Sequence, residues 1–305
     1  MVTVRAVVWI TPGNFRIPRV RSSTDIAGLT PDIDEKIERY IIRIVDSTRN
    51  PEKYSGKADE VVKGDLTDLA LLTEAFKNAH GVFVVTNFWE GADEIEQGKV
   101  AIQAAIDAGV NHFIWSTLPN VEKISNGKFD VPHFTGKAEV DELVKNAGFA
   151  NYTFVQPPFY YQNLIGQMGA QTQQDGSLGW TLPINPKVKG IHMSDINDLG
   201  KVVAGAFLNP QKVGKGSYLS LATELNSFND ILDTFKANGK EYSFNQVPVE
   251  VFSTFFQGAG EIAQMLAYFE AHTYMGPNSE AQIQLAKEIA TEEFTSLNDW
   301  INHNS

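Results

Sequence analysis

The chain has 305 residues, 43% of them apolar and 20% charged, which is typical of a packed globular protein with one large or two ordinary domains. It contains no cysteine, which excludes disulfides, thiolate metal sites and thiol nucleophiles and is consistent with a reducing compartment. The net charge of −12 disfavours direct nucleic-acid binding, and no apolar run approaches the ~18 residues of a membrane span, so we expect a cytoplasmic protein without a membrane partner.

Arginine is distributed unevenly along the chain. All seven arginines lie within residues 1–49, where basic residues outnumber acidic ones by eight to six; the rest of the chain carries 17 basic against 31 acidic residues. A solvated N-terminal face explains this pattern, and so does a separate origin for residues 1–39. The segment RIPRVR (residues 16–21) offers only a thin basis for an anionic-ligand or nuclear-import patch, so an additional nuclear location stays an alternative.

From residue 40 onward, strand and helix signals alternate. Apolar, β-branched runs predict strands at YIIRIVDS, DEVVKGD, GVFVVTN, HFIWST and YTFVQP (residues 40–47, 59–65, 81–87, 112–117 and 152–157). Apolar residues at helical spacing predict intervening helices over residues 67–79, 94–109 and 134–148, the first capped by Thr67 or Asp68. This alternation is typical of an α/β fold with a Rossmann-like, doubly wound parallel sheet.

After Pro157 the alternation loosens. The pattern predicts helices over residues 196–210, 226–239, 248–258, 261–272 and 296–305, a strand over 216–222, and short strands or loops over 177–186 and 189–195. We therefore expect a Rossmann-like NAD(P)-binding domain over residues 1–157. A small, mixed and mostly helical C-terminal lobe, interleaved with the sheet edge, is expected over residues 158–305. Open α/β sheets bind ligands at the carboxyl edge, where we place this lobe.

A nucleotide site in such a sheet needs a glycine-rich turn after the first strand, where the backbone approaches the pyrophosphate. The only candidate, AVVWITPGNFRIPRV, has Gly13 alone, so the first βα unit is atypical. Arg49, after the second strand, is placed either to hold the 2′-phosphate of NADP or to face solvent. Asp65 either lies near an adenine or forms a turn. The aromatic pair of TNFWE (residues 86–90) either flanks a cofactor or covers the core.

Metal chemistry is not expected. The six histidines are scattered, and no two are spaced to share one helix face with a third ligand.

Three stretches, VTNFWE, STLPNVEKISNGKFDVPHFTGKAEV and QPPFYYQNL, resemble the NmrA-like family of atypical short-chain dehydrogenase/reductase relatives, and most of all its NADP(H) redox-sensor branch. The resemblance runs from about residue 40 to the C-terminus and implies NADP (NADPH) as cofactor. It implies that Lys137 hydrogen-bonds the nicotinamide ribose, and that Arg49 contacts the 2′-phosphate. The other implied cofactor-binding residues are Asp65 and Leu66 at the adenine, Thr86, Asn87 and Phe88 along the middle, and Phe159, Tyr160, Tyr161, Gln162 and Asn163 at the nicotinamide end.

The family's opening is missing here. Members begin with a strand and a Gly-x-x-Gly-x-x-Gly turn about 25 to 30 residues before the Thr-Arg-Asn-Pro turn, where this chain reads RVRSSTDIAG. We hypothesise that residues 1–39 do not derive from the family's first βα unit, through an error in the gene model, a change of reading frame or genuine divergence. If the segment is authentic, the phosphate cradle is lost and cofactor affinity falls.

His133 stands four residues before Lys137, where short-chain dehydrogenases carry Tyr-x-x-x-Lys. His133 is either a proton donor or a helix-start residue, and Tyr160 or Tyr161 is an alternative acid. Three functions follow. The resemblance favours an NADP(H)-binding redox sensor or regulator with little or no turnover, which engages a protein partner such as a transcription factor. The second is an NADP-dependent oxidoreductase acting on a small organic or secondary metabolite, and the third is a scaffold that binds no nucleotide. A homodimer is left open.

Overall fold

The computed structural model describes residues 2–9, 37–46, 59–86, 88, 93–166 and 168–304. The elements of the first half, in chain order, are β1 (Val2–Trp9), β2 (Ile37–Asp46), β3 (Glu60–Lys63), α1 (Leu69–Phe76), β4 (Gly81–Val84), α2 (Glu94–Asp107), β5 (His112–Ser116), α3 (Val121–Ser125), α4 (Pro132–Asn146) and β6 (Asn151–Gln156). Those of the second half are β7 (Phe159–Tyr160), a 3-10 turn (Tyr161–Leu164), β8 (Gln171–Thr172), β9 (Leu178–Leu182), β10 (Ile191–Ser194), α5 (Asp198–Leu208), α6 (Pro210–Val213), β11 (Lys215–Ser220), β12 (Glu224–Asn226), α7 (Phe228–Ala237), β13 (Ser243–Gln246), α8 (Val249–Phe252), α9 (Ala259–His272), α10 (Glu280–Ile289) and α11 (Leu297–Asn304).

Seven strands of the described residues form one parallel sheet, in the order β11-β6-β5-β4-β1-β2-β3. The order reverses between β1 and β4, which is the switch point where doubly wound sheets bind nucleotides. The predicted Rossmann-like class is therefore confirmed. β1 lies between β2 and β4, next to the central strand β4, whereas the expected glycine turn and Gly13 lie outside the described residues.

Strands β4 and β5 are buried on both faces because their side chains alternate between two cores. Val82 and Trp115 lie in the core beneath α1, α2 and α4. Phe83 and Ile114 point the other way and pack against α5 and α10. Helices thus cover both faces of the sheet.

The helix beginnings follow from their capping residues. Asp68 caps α1 by accepting a hydrogen bond from the backbone N–H of Leu71 at 2.9 Å, which selects it over Thr67. Asp93 caps α2 in the same way. Helix α4 begins at Pro132, two residues before the predicted start, because a proline at the first helical position lacks only an N–H that would be unbonded there.

The chain after residue 157 builds both a lobe and part of the main sheet. Strand β11 pairs with β6 at the sheet edge, and α5 and α10 cover one face. The lobe contains two small sheets, β12-β10-β7 and β13-β9-β8, with α7, α8, α9 and α11 around an aromatic core. The helix predicted over residues 248–258 is shorter than expected: α8 ends at Phe252, and Gly258 adopts a φ of +90° before α9 begins.

Candidate functional site

A buried polar cluster lies at the carboxyl end of β4, beside the switch point of the sheet. It contains Thr86, which follows β4, Glu94 from the first turn of α2, and Lys137 from α4. The Lys137 ammonium donates to Glu94 Oε1 at 2.6 Å, to Thr86 Oγ1 at 2.7 Å and to the Thr86 carbonyl at 2.9 Å. The Thr86 hydroxyl donates to Glu94 Oε1 at 2.7 Å. The three residues form a closed ring of hydrogen bonds.

Lys137 is only 8% exposed and Glu94 only 5%. An ammonium has three hydrogens, so the three acceptors at Lys137 match its full donor capacity. Burial lowers the pKa of Lys137, whereas the charge and hydrogen bond of Glu94 oppose that shift. The site therefore holds a neutralised ion pair, not an isolated positive charge.

Trp115 and the packing of α2 on α4 fix the position of Lys137. The indole Nε1 of Trp115 donates to the Lys137 carbonyl at 3.1 Å, and the ammonium lies 6.0 Å from the centre of the Trp115 ring. Gly98 of α2 faces Val140 of α4 so closely that a Cβ on Gly98 would lie 2.7 Å from Val140 Cγ1. This close approach brings Glu94 within reach of Lys137.

His133, one turn before Lys137, contacts the C-terminal lobe. Its Nδ1 lies 2.5 Å from Glu261 Oε1 of α9, and its backbone N–H donates to the same oxygen at 3.2 Å. Burial alone would raise the pKa of Glu261, but these hydrogen bonds outweigh it and the pKa is lowered. The ring of Phe88 lies 5.9 Å from the imidazole, centre to centre. The predicted acid is thus oriented by a carboxylate, as imidazoles in functional sites commonly are.

A second buried carboxyl group lies one turn after Lys137. Asp141 Oδ2 accepts a hydrogen bond from the Tyr218 hydroxyl at 2.8 Å, while Oδ1 has no partner among the described residues. Burial raises the pKa of Asp141 to about 7, opposed by Thr117, Tyr218 and Lys145.

The residues expected at the nicotinamide end, Phe159 to Asn163, follow β6 at the carboxyl edge. Phe159 and Tyr161 are buried in the lobe core, and the Tyr161 hydroxyl donates to the Thr295 carbonyl at 3.3 Å. Gln162 is engaged with the loop before α5: its amide donates to Asp195 at 2.8 Å and its oxygen accepts from the Ile196 N–H at 3.1 Å. Tyr160 and Asn163 are half-buried.

The tyrosines have weakened acidity. Burial raises the pKa of Tyr160 well above its ordinary value, with a contribution from nearby Tyr274. Burial also raises the pKa of Tyr161, and the charge of Glu224 adds to the effect. Neither phenol is activated as the tyrosine of a short-chain reductase is.

The residues expected near the adenine follow β3. Asp65 forms a turn, accepting hydrogen bonds from the Thr67 N–H at 2.9 Å and the Thr67 hydroxyl at 2.7 Å. Leu66 is buried in the core beneath α1. Arg49 and Asn87 lie outside the described residues. The structure therefore brings Thr86, Lys137 and the His133–Phe88 pair to one part of the sheet edge, while Asp65 and Leu66 follow a strand farther along it.

Sequence reasoning missed Glu94 and Glu261. Glu94 stands directly after a capping aspartate, where an acidic residue is ordinarily explained by the helix dipole. A sequence feature that could have indicated Glu94 is its spacing of four residues from Gly98. This spacing places a carboxylate and a residue without a side chain on the same helix face. Glu261 lies 128 residues from His133, and no local pattern links them.

Elsewhere, a groove of about 590 Å³ lies at the opposite, amino edge of the sheet, lined by residues that include His80, Asp107 and Asn111. It is remote from the Lys137 cluster, on the edge where open α/β sheets do not ordinarily bind ligands. Within the described ranges, no helix is long and apolar enough to cross a membrane.

Comparisons with known proteins identify the family. The model of the NmrA-like family matches residues 37–301. An NmrA-like family domain-containing protein of Dictyostelium discoideum is 29% identical over 283 residues, which cover 86% of this chain and 91% of the relative. The NmrA-like family domain-containing oxidoreductase ptmS of Penicillium ochrochloron is 24% identical, with 75% of this chain and 77% of the relative covered. The crystal structure of NmrA, a negative transcriptional regulator, in complex with NADP shares the fold, with a TM-score of 0.74, 19% identity and coverage of 98% of this chain and 94% of that one.

Proposed function

The chain belongs to the NmrA-like family, and on this premise we propose that it is an NADP(H)-binding regulator that senses the cofactor and turns over little or no substrate. The observation that carries this proposal is the neutralisation of Lys137 by Glu94 in a buried site. In a short-chain reductase the equivalent lysine supplies positive charge that lowers the pKa of the catalytic tyrosine. Here the carboxylate of Glu94 cancels that charge at 2.6 Å.

The cofactor part of the proposal is supported by position and by donor chemistry. Thr86 and Lys137 lie at the carboxyl edge beside the switch point, and a ribose hydroxyl bound there would replace one of the three acceptors that the Lys137 ammonium now engages. NmrA has been crystallised with NADP and also with NAD. The preference for NADP depends on Arg49, whose guanidinium suits the 2′-phosphate. A bound dinucleotide would supply a hydride donor or acceptor at this edge.

The proposal of little or no turnover is supported by the state of the three side chains considered as proton donors, which are Tyr160, Tyr161 and His133. The pKa of Tyr160 is raised by burial, and the Tyr161 hydroxyl is engaged with the Thr295 carbonyl. His133 is held by Glu261. General acid catalysis works best with a group whose pKa lies near the operating pH, and the two phenols depart from that condition.

An NADP-dependent oxidoreductase acting on a small organic metabolite is the second candidate. The observation that favours it is the Glu261–His133 pair, because a carboxylate at Nδ1 orients an imidazole for proton transfer through its other nitrogen. Relatives named as oxidoreductases, such as ptmS, agree with this alternative.

The test is a calorimetric titration of the full chain with NADPH, NADP and NADH, followed by NADPH oxidation assays with quinones, enones and ketones. We expect micromolar NADPH binding, at least about tenfold weaker in Lys137→Ala, since a buried charged donor contributes ~1.5–3 kcal/mol. Lys99→Ala is the matched control, because Lys99 is exposed and pairs with neighbouring Glu96. The oxidation rates are expected to equal the protein-free blank.

Two results would contradict the proposed sensor function. Sustained NADPH oxidation that His133→Ala abolishes would establish the oxidoreductase. Wild-type protein that binds none of the three nucleotides would reject both functions and leave the scaffold.

A further inference from the structure

The buried carboxylate of Glu94 is not among the residues that the family resemblance implicates, yet it is the charged partner of Lys137 in the site. Of the three acceptors around the ammonium, the Thr86 carbonyl and hydroxyl are neutral. Glu94 Oε1 carries the charge and also accepts the Thr86 hydroxyl hydrogen. One oxygen of Glu94 therefore fixes both the ammonium and the hydroxyl that face the sheet edge.

The remaining oxygen, Glu94 Oε2, is buried without a hydrogen-bond partner among the described residues. It faces Gly136 of α4, where even a Cβ would lie 3.7 Å away. A carboxylate buried in this way is costly unless a nearby positive charge compensates it. Lys137 supplies that charge, at 2.6 Å from the other oxygen of Glu94.

We propose that Glu94 is a positioning residue for the dinucleotide site: it holds the Lys137 side chain charged and aimed at the carboxyl edge. This inference rests on the proposed function. Without Glu94, the ammonium would remain among the Thr86 oxygens and the Trp115 ring, none of which carries a full negative charge. A buried amine without a counter-charge loses its proton more readily. Burial lowers the pKa of Lys137 even with Glu94 present.

Among the described residues, the two ionisable side chains one turn from Lys137 on α4 are engaged elsewhere. His133 and Asp141 lie one turn before and one turn after it on α4, and they contact Glu261 of α9 and Tyr218 of β11 respectively. From α2, Glu94 is the carboxylate that reaches the ammonium. Burial disfavours the charged form of Lys137, and Glu94 is the ionisable group that opposes this effect.

The first arm of the test measures Lys137 itself. Protein labelled with ¹³C at lysine Cε is titrated by NMR, and the Lys137 signal is assigned by its loss in Lys137→Arg. In Glu94→Gln, which keeps the shape and loses the charge, we expect the titration midpoint of Lys137 to fall by at least about one pH unit. Glu96→Gln, two residues along the same helix but exposed, is expected to match the wild type. An unchanged midpoint in Glu94→Gln overturns the proposal.

A conservative variant, Glu94→Asp, keeps the test decisive if Glu94→Gln does not fold. Glu94→Asp keeps the charge on a shorter side chain, so its midpoint is expected between those of the wild type and Glu94→Gln. If Glu94→Gln does not fold, the aspartate variant decides: a lowered midpoint supports the proposal and an unchanged one overturns it.

The second arm measures NADPH affinity between about pH 7 and pH 9.5. In each protein the Kd is expected to rise about tenfold per pH unit above the Lys137 midpoint measured by NMR, so the rise is expected to begin at lower pH in Glu94→Gln than in the wild type. Profiles that begin to rise at the same pH in the two proteins would overturn the role at the cofactor site. If the wild type binds no NADPH, the proposed function fails, while the NMR arm still reports whether Glu94 controls Lys137.

Discussion

Gly98 of α2 and Val140 of α4 are in direct contact: a Cβ added to Gly98 would lie 2.7 Å from Val140 Cγ1 and 2.9 Å from Cγ2. The contact lies one helical turn beyond Glu94 on α2 and about one turn beyond Lys137 on α4. Because Gly98 has no side chain, α2 and α4 can pack closely at this point. The close packing brings the Glu94 carboxylate into contact with the Lys137 ammonium.

We expect Gly98→Ala to weaken this site and the fold together. The new methyl group must push against a β-branched side chain that has little freedom to move, at a cost of ~1–3 kcal/mol, which exceeds the ~1 kcal/mol gained in helix propensity. Thermal unfolding should shift to lower temperature and NADPH affinity should fall. Gly260→Ala is the control, because a Cβ there meets nothing closer than Ser253 Oγ at 3.9 Å. A Gly98→Ala protein as stable as the wild type would show that the helices adjust freely.

The alternating pattern predicted the architecture because each buried strand and each amphipathic helix carries its own periodicity. β4 and β5 lie within their predicted runs, and α4 extends the predicted helix by two residues at its start. Helix α3, with five residues, is too short for a periodic signal. The small lobe strands β7 and β8 have two residues each, too few for a periodic signal, and β7 is formed by pairing with β10, more than 30 residues later in the chain.

The site was only partly predictable, because only some of its residues belong to a local sequence pattern. Lys137 was found through a motif in which neighbouring residues share a helix. Glu94 and Glu261 reach the site from other helices, 43 and 128 residues away from their partners, and no local pattern in the sequence identifies those partners. The family match begins at residue 37, in line with the expected start near residue 40. β1 nonetheless lies inside the sheet, between β4 and β2, and the separate origin of residues 1–39 stays a hypothesis.

Asp141 predicts an unusual pH dependence of stability. Burial raises its pKa from 3.8 to about 7 in the folded chain. The folded state therefore holds this proton more tightly than the unfolded state, and the free energy of unfolding contributed by Asp141 falls as pH rises from about 4 to about 7. We expect Asp141→Asn to remove this decline and to be more stable than the wild type above pH 7, by about 1–3 kcal/mol.

Urea unfolding of both proteins at a series of pH values from about 5 to 9 measures the effect directly. Asp130→Asn serves as the comparison, since Asp130 is exposed. If the difference between Asp141→Asn and the wild type does not change with pH, the carboxyl group is ionised throughout the range and its burial is compensated by its hydrogen bonds.

The Thr86 hydroxyl is expected to matter through its two hydrogen bonds, one accepted from Lys137 and one donated to Glu94. Thr86→Val keeps the shape of the side chain but removes both, and it leaves two buried charged groups each with one partner fewer. We expect a loss of ~1–3 kcal/mol in unfolding free energy and weaker NADPH binding. Thr86→Ser, which keeps the hydroxyl, should bind NADPH nearly as the wild type does. A loss in Thr86→Ser as large as that in Thr86→Val would show that the hydroxyl is not sufficient to maintain the site and that packing of the methyl group matters equally.

The contact between His133 and Glu261 joins α4 to α9 and is expected to stabilise the lobe at neutral pH. The pKa of Glu261 is lowered from 4.5 in the folded chain, so its contribution to stability is present above that value and is lost as pH falls through the folded-state pKa. Glu261→Gln should therefore be less stable than the wild type at pH 7, by ~1–2 kcal/mol, and the difference should shrink below about pH 4.5. Glu250→Gln, at an exposed position of α8, is the control. A Glu261→Gln deficit that persists unchanged at low pH would mean that packing of the side chain, and not its charge, joins the two helices.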